Sequence, residues 1–304
     1  MIKIGMIGMS PGNAHPYSWS AIINGKYNGE EIAKIGYPAV TDYLDAHREE
    51  LGIEGSRVTH VWCQDRAISE SIAESSGIDH VVDRMEDMIG EIDALILGRD
   101  DPENHWAMAK PFIDADIPIF IDKPLASSAE DLASFQAEVD AGKWIMSCSS
   151  MRYGVETAQA LKEIDELGKI EMVVAVGKKD WTKYGVHMLE AVVTILGDPT
   201  PVSVESFGED RKSIVKIVFD TGVVATLHLV MDISGTFQVS LFGQKDFRRY
   251  EMKDSYSMFR NNLEVFVDSL KAGKPLLEFD KTHAIVKSII AGIESQESGQ
   301  KIVF

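Results

Sequence analysis

Between Ile2 and Pro124, short apolar runs alternate with segments of helical periodicity, and few folds are open to a chain written that way. Strands separated by helix-forming segments pair in parallel through crossover helices. The strands fall at 3–9, 57–64, 94–98 and 117–121, with 79–82 as a short extra candidate. Helices are predicted from about Trp19, over 68–75, over 103–115 (with His105 in the first turn) and over 129–141. This is the pattern of an α/β doubly wound parallel sheet. The connection 25–56 is unusually long, carries its own helical stretch at 42–51, and reads as an insertion.

The texture changes after Lys143-Trp144-Ile145-Met146-Ser147-Cys148. Strand-like runs at 171–176, 213–219, 223–231 and 236–242 follow one another, with a turn signal at Asp220-Thr221-Gly222, and helical patterns at 258–272 and 282–295 close the chain. Strand after strand predicts an α+β domain on an open, mainly antiparallel sheet. A chain of 304 residues is long for one core, so two domains are expected. They are a dinucleotide-binding domain over 1–124 and a substrate-binding and oligomerisation domain over 125–304, whose last helices can pack back on the first.

Charge narrows the partners. The 48 acidic residues against 30 basic ones leave a net charge of -18, which repels phosphate backbones and anionic membrane surfaces. Neither nucleic acid nor membrane is an expected partner, and an anionic ligand needs local donors such as helix N-termini. No run reaches the roughly 18 apolar residues of a membrane span. The N-terminus starts on a strand, without the features of a signal peptide. Two cysteines, Cys63 and Cys148, read as buried free thiols and fit a cytoplasmic location. No spacing of His, Cys, Asp and Glu suits a metal.

In open parallel sheets, ligands sit at the carboxyl ends of strands. Gly8-Met9-Ser10-Pro11-Gly12-Asn13 follows the first strand as an altered glycine fingerprint, with Ser10 and Asn13 at its second and third positions and Gly12 between. Ser10 is small enough for a backbone to approach a pyrophosphate, and Gly12 can supply a positive φ; an ordinary strand-to-helix turn reads the same way. Asp65 ends the second strand, where a carboxylate can accept both ribose hydroxyls, favouring NAD; it can equally cap a helix. Arg66 beside it can stack on adenine or pair with a 2′-phosphate, which keeps NADP open. Lys123 ends an apolar strand before Pro124 and is expected to face the dinucleotide. His15 and Tyr17, beside Trp19, can wall a sugar site or pack a helix start. Lys183 and His187 share a helix face at i, i+4 if the helix starts near Lys183, with Tyr184 on the neighbouring turn. A histidine is a natural proton shuttle, although a satisfied half-buried histidine is the plainer reading.

Taken in order, these segments resemble the Gfo/Idh/MocA family of glucose-fructose oxidoreductase and inositol 2-dehydrogenase. Asp122-Lys123-Pro124 is similar to its Glu-Lys-Pro motif, Ser150-Met151-Arg152-Tyr153 to the segment opening its second domain, and Gly168-Lys169-Ile170 to a glycine turn. The resemblance implies a Rossmann domain binding NAD or NADP, an open-faced second sheet, and a homodimer or homotetramer. It implies that Lys123 contacts the nicotinamide ribose and the reacting hydroxyl, and that His187 is the acid/base of an Asp-x-x-x-His pattern. The sequence departs from that pattern: Lys183 stands at the aspartate position, Glu190 fills an acidic place three residues after His187, and Asp100-Asp101 replace a common Thr-Pro beside the cofactor. Arg152, Tyr153, Trp181, Lys183 and Tyr184 are then expected around the substrate. A buried Lys183 would call for a carboxylate or phosphate on the substrate, such as a sugar phosphate or nucleotide sugar, unless Asp180 pairs with it. The activity implied is hydride transfer between nicotinamide and a secondary hydroxyl of a sugar-like molecule. The alternatives are a redox-neutral lyase or glycosidase using bound NAD, and a non-catalytic dinucleotide-binding regulator.

Overall fold

The computed structural model describes residues 1–209 and 211–304, which divide into two compact units. The first comprises 1–126, 133–147 and 259–279; the second comprises 127–132, 148–258 and 280–304. The first unit thus runs past the expected break after residue 124, because the chain returns to it twice.

In the first part of the chain the strands are β1 (Ile2–Ile7), β2 (Ser56–Trp62), β3 (His80–Val81), β4 (Ala94–Leu97), β5 (Ile119–Ile121) and β6 (Ile145–Met146). The helices are α1 (His15–Asn24), α2 (Gly29–Ala33), α3 (Pro38–Ala46), α4 (Arg66–Ser76), α5 (His105–Asp114) and α6 (Ala129–Asp140). All strand pairs are parallel and the order is β3-β2-β1-β4-β5-β6. The central strands are apolar throughout because both faces are covered: Ile4, Met6, Ile7 and Ala94 to Leu97 are fully buried. Gly5 lies where a Cβ would come within 2.7 Å of Ile92 Cδ1, so a larger residue would push aside the ends of Ile92 and Met88. The insertion folds as α2, α3 and a single 3₁₀ turn at Arg48–Glu50.

Chain order reverses between β1 and β4, and the register there places the site. Ile7 pairs with Leu97 and Leu97 with Ile121. Gly98 N–H donates to Ile7 O at 2.8 Å and Asp122 N–H to Leu97 O at 2.9 Å. Gly8, Gly98 and Asp122 therefore leave the sheet side by side at its carboxyl edge.

The remaining elements are α7 (Val155–Glu163), β7 (Ile170–Lys178), α8 (Trp181–Ile195), β8 (Pro201–Ser206), β9 (Lys212–Phe219), β10 (Val224–Val230), β11 (Phe237–Gly243), β12 (Phe247–Glu251), α9 (Ser255–Ala272), α10 (Phe279–Ser298) and β13 (Ile302–Val303). The second sheet runs β12-β11-β7-β10-β9-β8-β13. It is antiparallel except for its central pair, β7 and β10, which are parallel. The exception follows from α8, which carries the chain back across the sheet before β8. Burial alternates along β9 and β10, so one face of the sheet meets the core. Val186, Leu189, Val192 and Val193 of α8 join Ala175, Leu227 and Leu229 of the strands there. In the first unit, α9 supplies Phe266, whose ring lies 5.5 Å from that of Phe120 and 5.8 Å from that of Trp144.

Candidate active site

At the carboxyl edge of the first sheet, the loop after β1 turns sharply into α1. Gly12 has φ of +84°, the conformation that glycine adopts without steric cost. A Cβ on Gly8 would stand 2.6 Å from Pro16 Cγ, so the loop and the first turn of α1 are in close contact. Ser10 and Asn13, at the two altered positions, are buried and hold the loop to its neighbours. Ser10 Oγ donates to Asp100 Oδ1 at 2.5 Å and accepts from Asp100 N–H at 3.1 Å. Asn13 Nδ2 donates to Asp122 Oδ2 at 3.0 Å, while its Oδ1 accepts from His15 N–H at 2.7 Å. α1 has no acidic residue in its first turn and its N-cap residue, Ala14, has no side chain to cap it, so apart from the Asn13 bond its first N–H groups face the loop.

Asp122 is the hub of this edge. It is 1 % exposed and receives His15 Nδ1 at 2.6 Å, Asn13 Nδ2, and the backbone N–H of Lys123 at 2.8 Å. Burial works against its ionisation, but the imidazole of His15 and the charge of Lys123 outweigh it and hold the carboxyl at about 2. His15 in turn stacks on Trp19 with ring centroids 4.4 Å apart. Lys123 is 5 % exposed, and its Nζ lies 4.0 Å from Asp100 Oδ2; Pro124 after it is buried. The structure therefore gathers Gly8, Ser10, Gly12, Asn13, His15, Asp100, Lys123 and Pro124 at one edge.

His105, expected only as a first-turn residue, proves to brace this edge. Its Nε2 lies 2.9 Å from Arg99 O and its Nδ1 3.0 Å from Leu125 O, tying the loops after β4 and β5 together. Arg99 pairs with Asp101 and reaches Met9 O of the glycine loop at 3.4 Å. No local pattern announces either contact, since both depend on strand register.

Three expected residues of this unit have other occupations. Tyr17 is buried, its hydroxyl donates to Ser71 Oγ at 2.9 Å, and both side chains line a cavity beside the glycine loop. Asp65 caps α4, accepting Ala67 N–H at 2.8 Å, and remains exposed at the end of β2. Arg66 pairs with Glu70 on α4 at 2.8 Å and with Asp83 after β3, so its guanidinium is held between the helix and that loop.

In the second unit, α8 begins at Trp181, capped by Asp180 Oδ1 on Lys183 N–H at 2.9 Å. That cap corrects one expectation: Asp180 bonds the backbone of Lys183. A second correction concerns Lys183 itself, which is exposed, so burial gives it no need of an anion. The cation lodged against Tyr184 is Lys179, whose Nζ stands 4.2 Å from the ring centroid. Trp181 is buried and donates Nε1–H to Ile289 O at 3.0 Å, anchoring α8 to α10 instead of facing a substrate.

One helical turn further on, His187 Nδ1 lies 2.7 Å from Ser149 Oγ, and Tyr184 packs 5.2 Å from the imidazole. Ser149 N–H donates to Glu190 Oε2 at 3.2 Å. Glu190 and Asp198 both receive Arg152, the latter at 2.7 Å, and Lys281 reaches Asp198 at 3.2 Å. Arg152 is thus committed to a buried ion network rather than turned to a ligand. Burial opposes its charge, but the two carboxylates outweigh burial and hold its pKa above the usual guanidinium range. Tyr153 next to it is half-buried, and burial raises its pKa. Ser149 is the residue the sequence concealed: nothing but its contact with His187, 38 positions away, marks it out.

Among the described residues no group of His, Cys, Asp and Glu could hold a metal ion, and no helix is long and apolar enough to cross a membrane. Cys63 and Cys148 are free and buried, and burial pushes the Cys63 thiol up to about 11.

Residues 2–148 match the model of the Gfo/Idh/MocA family, described as an oxidoreductase family with an NAD-binding Rossmann fold. A search of curated proteins finds no match. Solved structures align over the full chain. Myo-inositol 2-dehydrogenase from Lactobacillus plantarum matches with a TM-score of 0.78 at 15% identity, covering 100% of this chain and 99% of that one. Scyllo-inositol dehydrogenase from Lactobacillus casei with bound NAD(H) and scyllo-inositol gives 0.78 at 13%, covering 100% and 99%. A myo-inositol dehydrogenase from Corynebacterium glutamicum ATCC 13032 gives 0.78 at 13%, again covering 100% and 99%. At such identities the likeness shows a shared fold.

Proposed function

Because residues 2–148 match the Gfo/Idh/MocA family of NAD-binding oxidoreductases, we propose that the chain is a member and moves a hydride between nicotinamide and a secondary hydroxyl or ketone of a sugar-like polyol. The observation that carries this reading is the convergence of the glycine loop, Asp100, Asp122 and Lys123 at the point where strand order reverses. The residues there fit a dinucleotide. The positive φ at Gly12 and the entry of the glycine loop into α1 suit a pyrophosphate. A cavity of about 410 Å³ beside them, lined by Met9, Gly12, Lys34, Tyr37, Ile68 and Ser71 among others, suits the adenosine half. Asp65, exposed beyond β2, favours a free 2′-hydroxyl and hence NAD over NADP.

When bound, nicotinamide supplies or accepts the hydride at C4. Lys123 and His187 are the residues we assign to the substrate oxygen, and Tyr184 and Tyr153 to its surroundings. The exposure of Lys183 removes the argument for an anionic substrate, and an uncharged polyol is the class the site favours. The outward side of the second sheet bears Met172 and Ile214, both exposed, and supports assembly as a homodimer or homotetramer. The two buried thiols suit the reducing cytoplasm.

Calorimetric titration with NAD(H) and NADP(H), followed by turnover assays on inositols and aldoses, tests the reading. Micromolar binding with NADH accumulating steadily supports it. Binding without net NADH points to a redox-neutral reaction, and binding without any turnover to a regulator. Absence of binding defeats all three.

A further inference from the structure

His187 has a hydroxyl for a neighbour where a carboxylate partner would be the ordinary device, and the difference decides which ring nitrogen carries the proton. A carboxylate only accepts hydrogen bonds, so it fixes a proton on Nδ1 and leaves Nε2 with a lone pair, the state of a general base. Ser149 Oγ has one proton to give and two lone pairs to offer. It is fully buried and accepts Met151 N–H at 3.2 Å. Its other contact is His187 Nδ1, at 2.7 Å. No second acceptor for the Ser149 hydroxyl proton exists among the described residues. If Nδ1–H donated to Oγ, that proton would be buried without a partner, an arrangement folded proteins avoid. With the hydroxyl donating to Nδ1, the serine proton has its acceptor.

The backbone around Ser149 is fixed in a way that preserves this geometry. Its N–H is held by Glu190, and Arg152 N–H donates to its carbonyl oxygen at 3.1 Å. Glu190 and Asp198 are matched by Arg152 and Lys281, so the network beneath the serine is charge-balanced and needs no proton from the ring.

We infer that Ser149 is a positioning residue that holds neutral His187 with its proton on Nε2, so that His187 donates a hydrogen bond to the substrate oxygen and is not the base. This rests on the assignment of His187 to the substrate oxygen made above. In alcohol oxidation the carbinol hydrogen then leaves as hydride to the nicotinamide. The hydroxyl proton passes to Lys123 once its ammonium has released a proton to solvent, and the imidazole keeps its own proton throughout. In ketone reduction the same transfers run backwards.

Long-range ¹H–¹⁵N spectra of the full-length protein carrying ¹⁵N-histidine read the tautomer directly, with His187 identified by the signal lost in His187→Gln. The expected result above the imidazole titration is a bare Nδ1 and a protonated Nε2. Ser149→Ala should replace that single tautomer by a mixture, and Ser149→Thr should restore it; melting curves report whether either variant is folded. A protonated Nδ1 in the wild type, or a tautomer unchanged in folded Ser149→Ala, would overturn the inference. Turnover separates it from the broader reading. His187→Gln, which can still donate an N–H, should keep most of the activity that His187→Ala loses, a loss of about 100-fold or more. If His187→Gln is as dead as His187→Ala, the donor role is wrong. If the tautomer is as stated and His187→Ala turns over normally, Ser149 still sets the ring while the assignment of His187 to the substrate fails.

Discussion

Asp122 and His15, 107 positions apart, lie 2.6 Å from each other at the carboxyl edge of the first sheet. The contact joins the end of β5 to the start of α1, and with Asn13 it makes the glycine loop and the Lys123 loop a single hydrogen-bonded unit.

Asp122→Asn should therefore lower stability at neutral pH and flatten the acid limb of unfolding. The folded carboxyl titrates at about 2 against 3.8 for the free group. A depressed acid contributes stability above the unfolded pKa and loses it as pH falls through the folded one, which here amounts to about 2 kcal/mol. Denaturant titrations over that range should show the wild type losing this increment and the variant lacking it.

Lys123→Met should cost about two to four orders of magnitude in kcat, with NAD affinity and melting temperature little changed. A variant that kept full activity would refute the role given to this lysine.

Removing the guanidinium of Arg152 should be severe, because it leaves the buried Glu190 and the half-buried Asp198 without their main cation. Arg152→Met is expected to lose about 3–5 kcal/mol, and Arg152→Lys less. Equilibrium unfolding measures both, and a loss below about 1 kcal/mol would show the network to be dispensable.

Asp65→Asn retains an acceptor for the α4 cap while removing the charge. Affinity for NADP should rise relative to NAD with melting unchanged, and an unaltered ratio in paired calorimetric titrations would show that Asp65 acts only as a cap.

The parallel sheet was legible because strands buried on both faces read as uninterrupted apolar runs, as in 94–97. β8 escaped notice because it opens on Pro201, β12 because Arg248 and Arg249 stand at a sheet edge, and β13 because it is two residues long. The same division holds at the site. Gly8, Gly12 and Lys123 carry local signals of turn chemistry and strand termination. The partners of His187 and Arg152 lie 38 to 46 positions away and become neighbours only when the second unit folds. Trp181 misled because an aromatic ring beside a site and one anchoring a helix look alike in sequence.

The return of the chain to the first unit at 259–279 bears on biosynthesis. A ribosome that has released the whole β1–β6 sheet has not yet delivered Phe266, the ring that meets Phe120 and Trp144. The nucleotide-binding half is thus begun first and finished almost last. A fragment ending after β6 would expose that aromatic seam, and nascent chains stalled there should be the ones that chaperones hold.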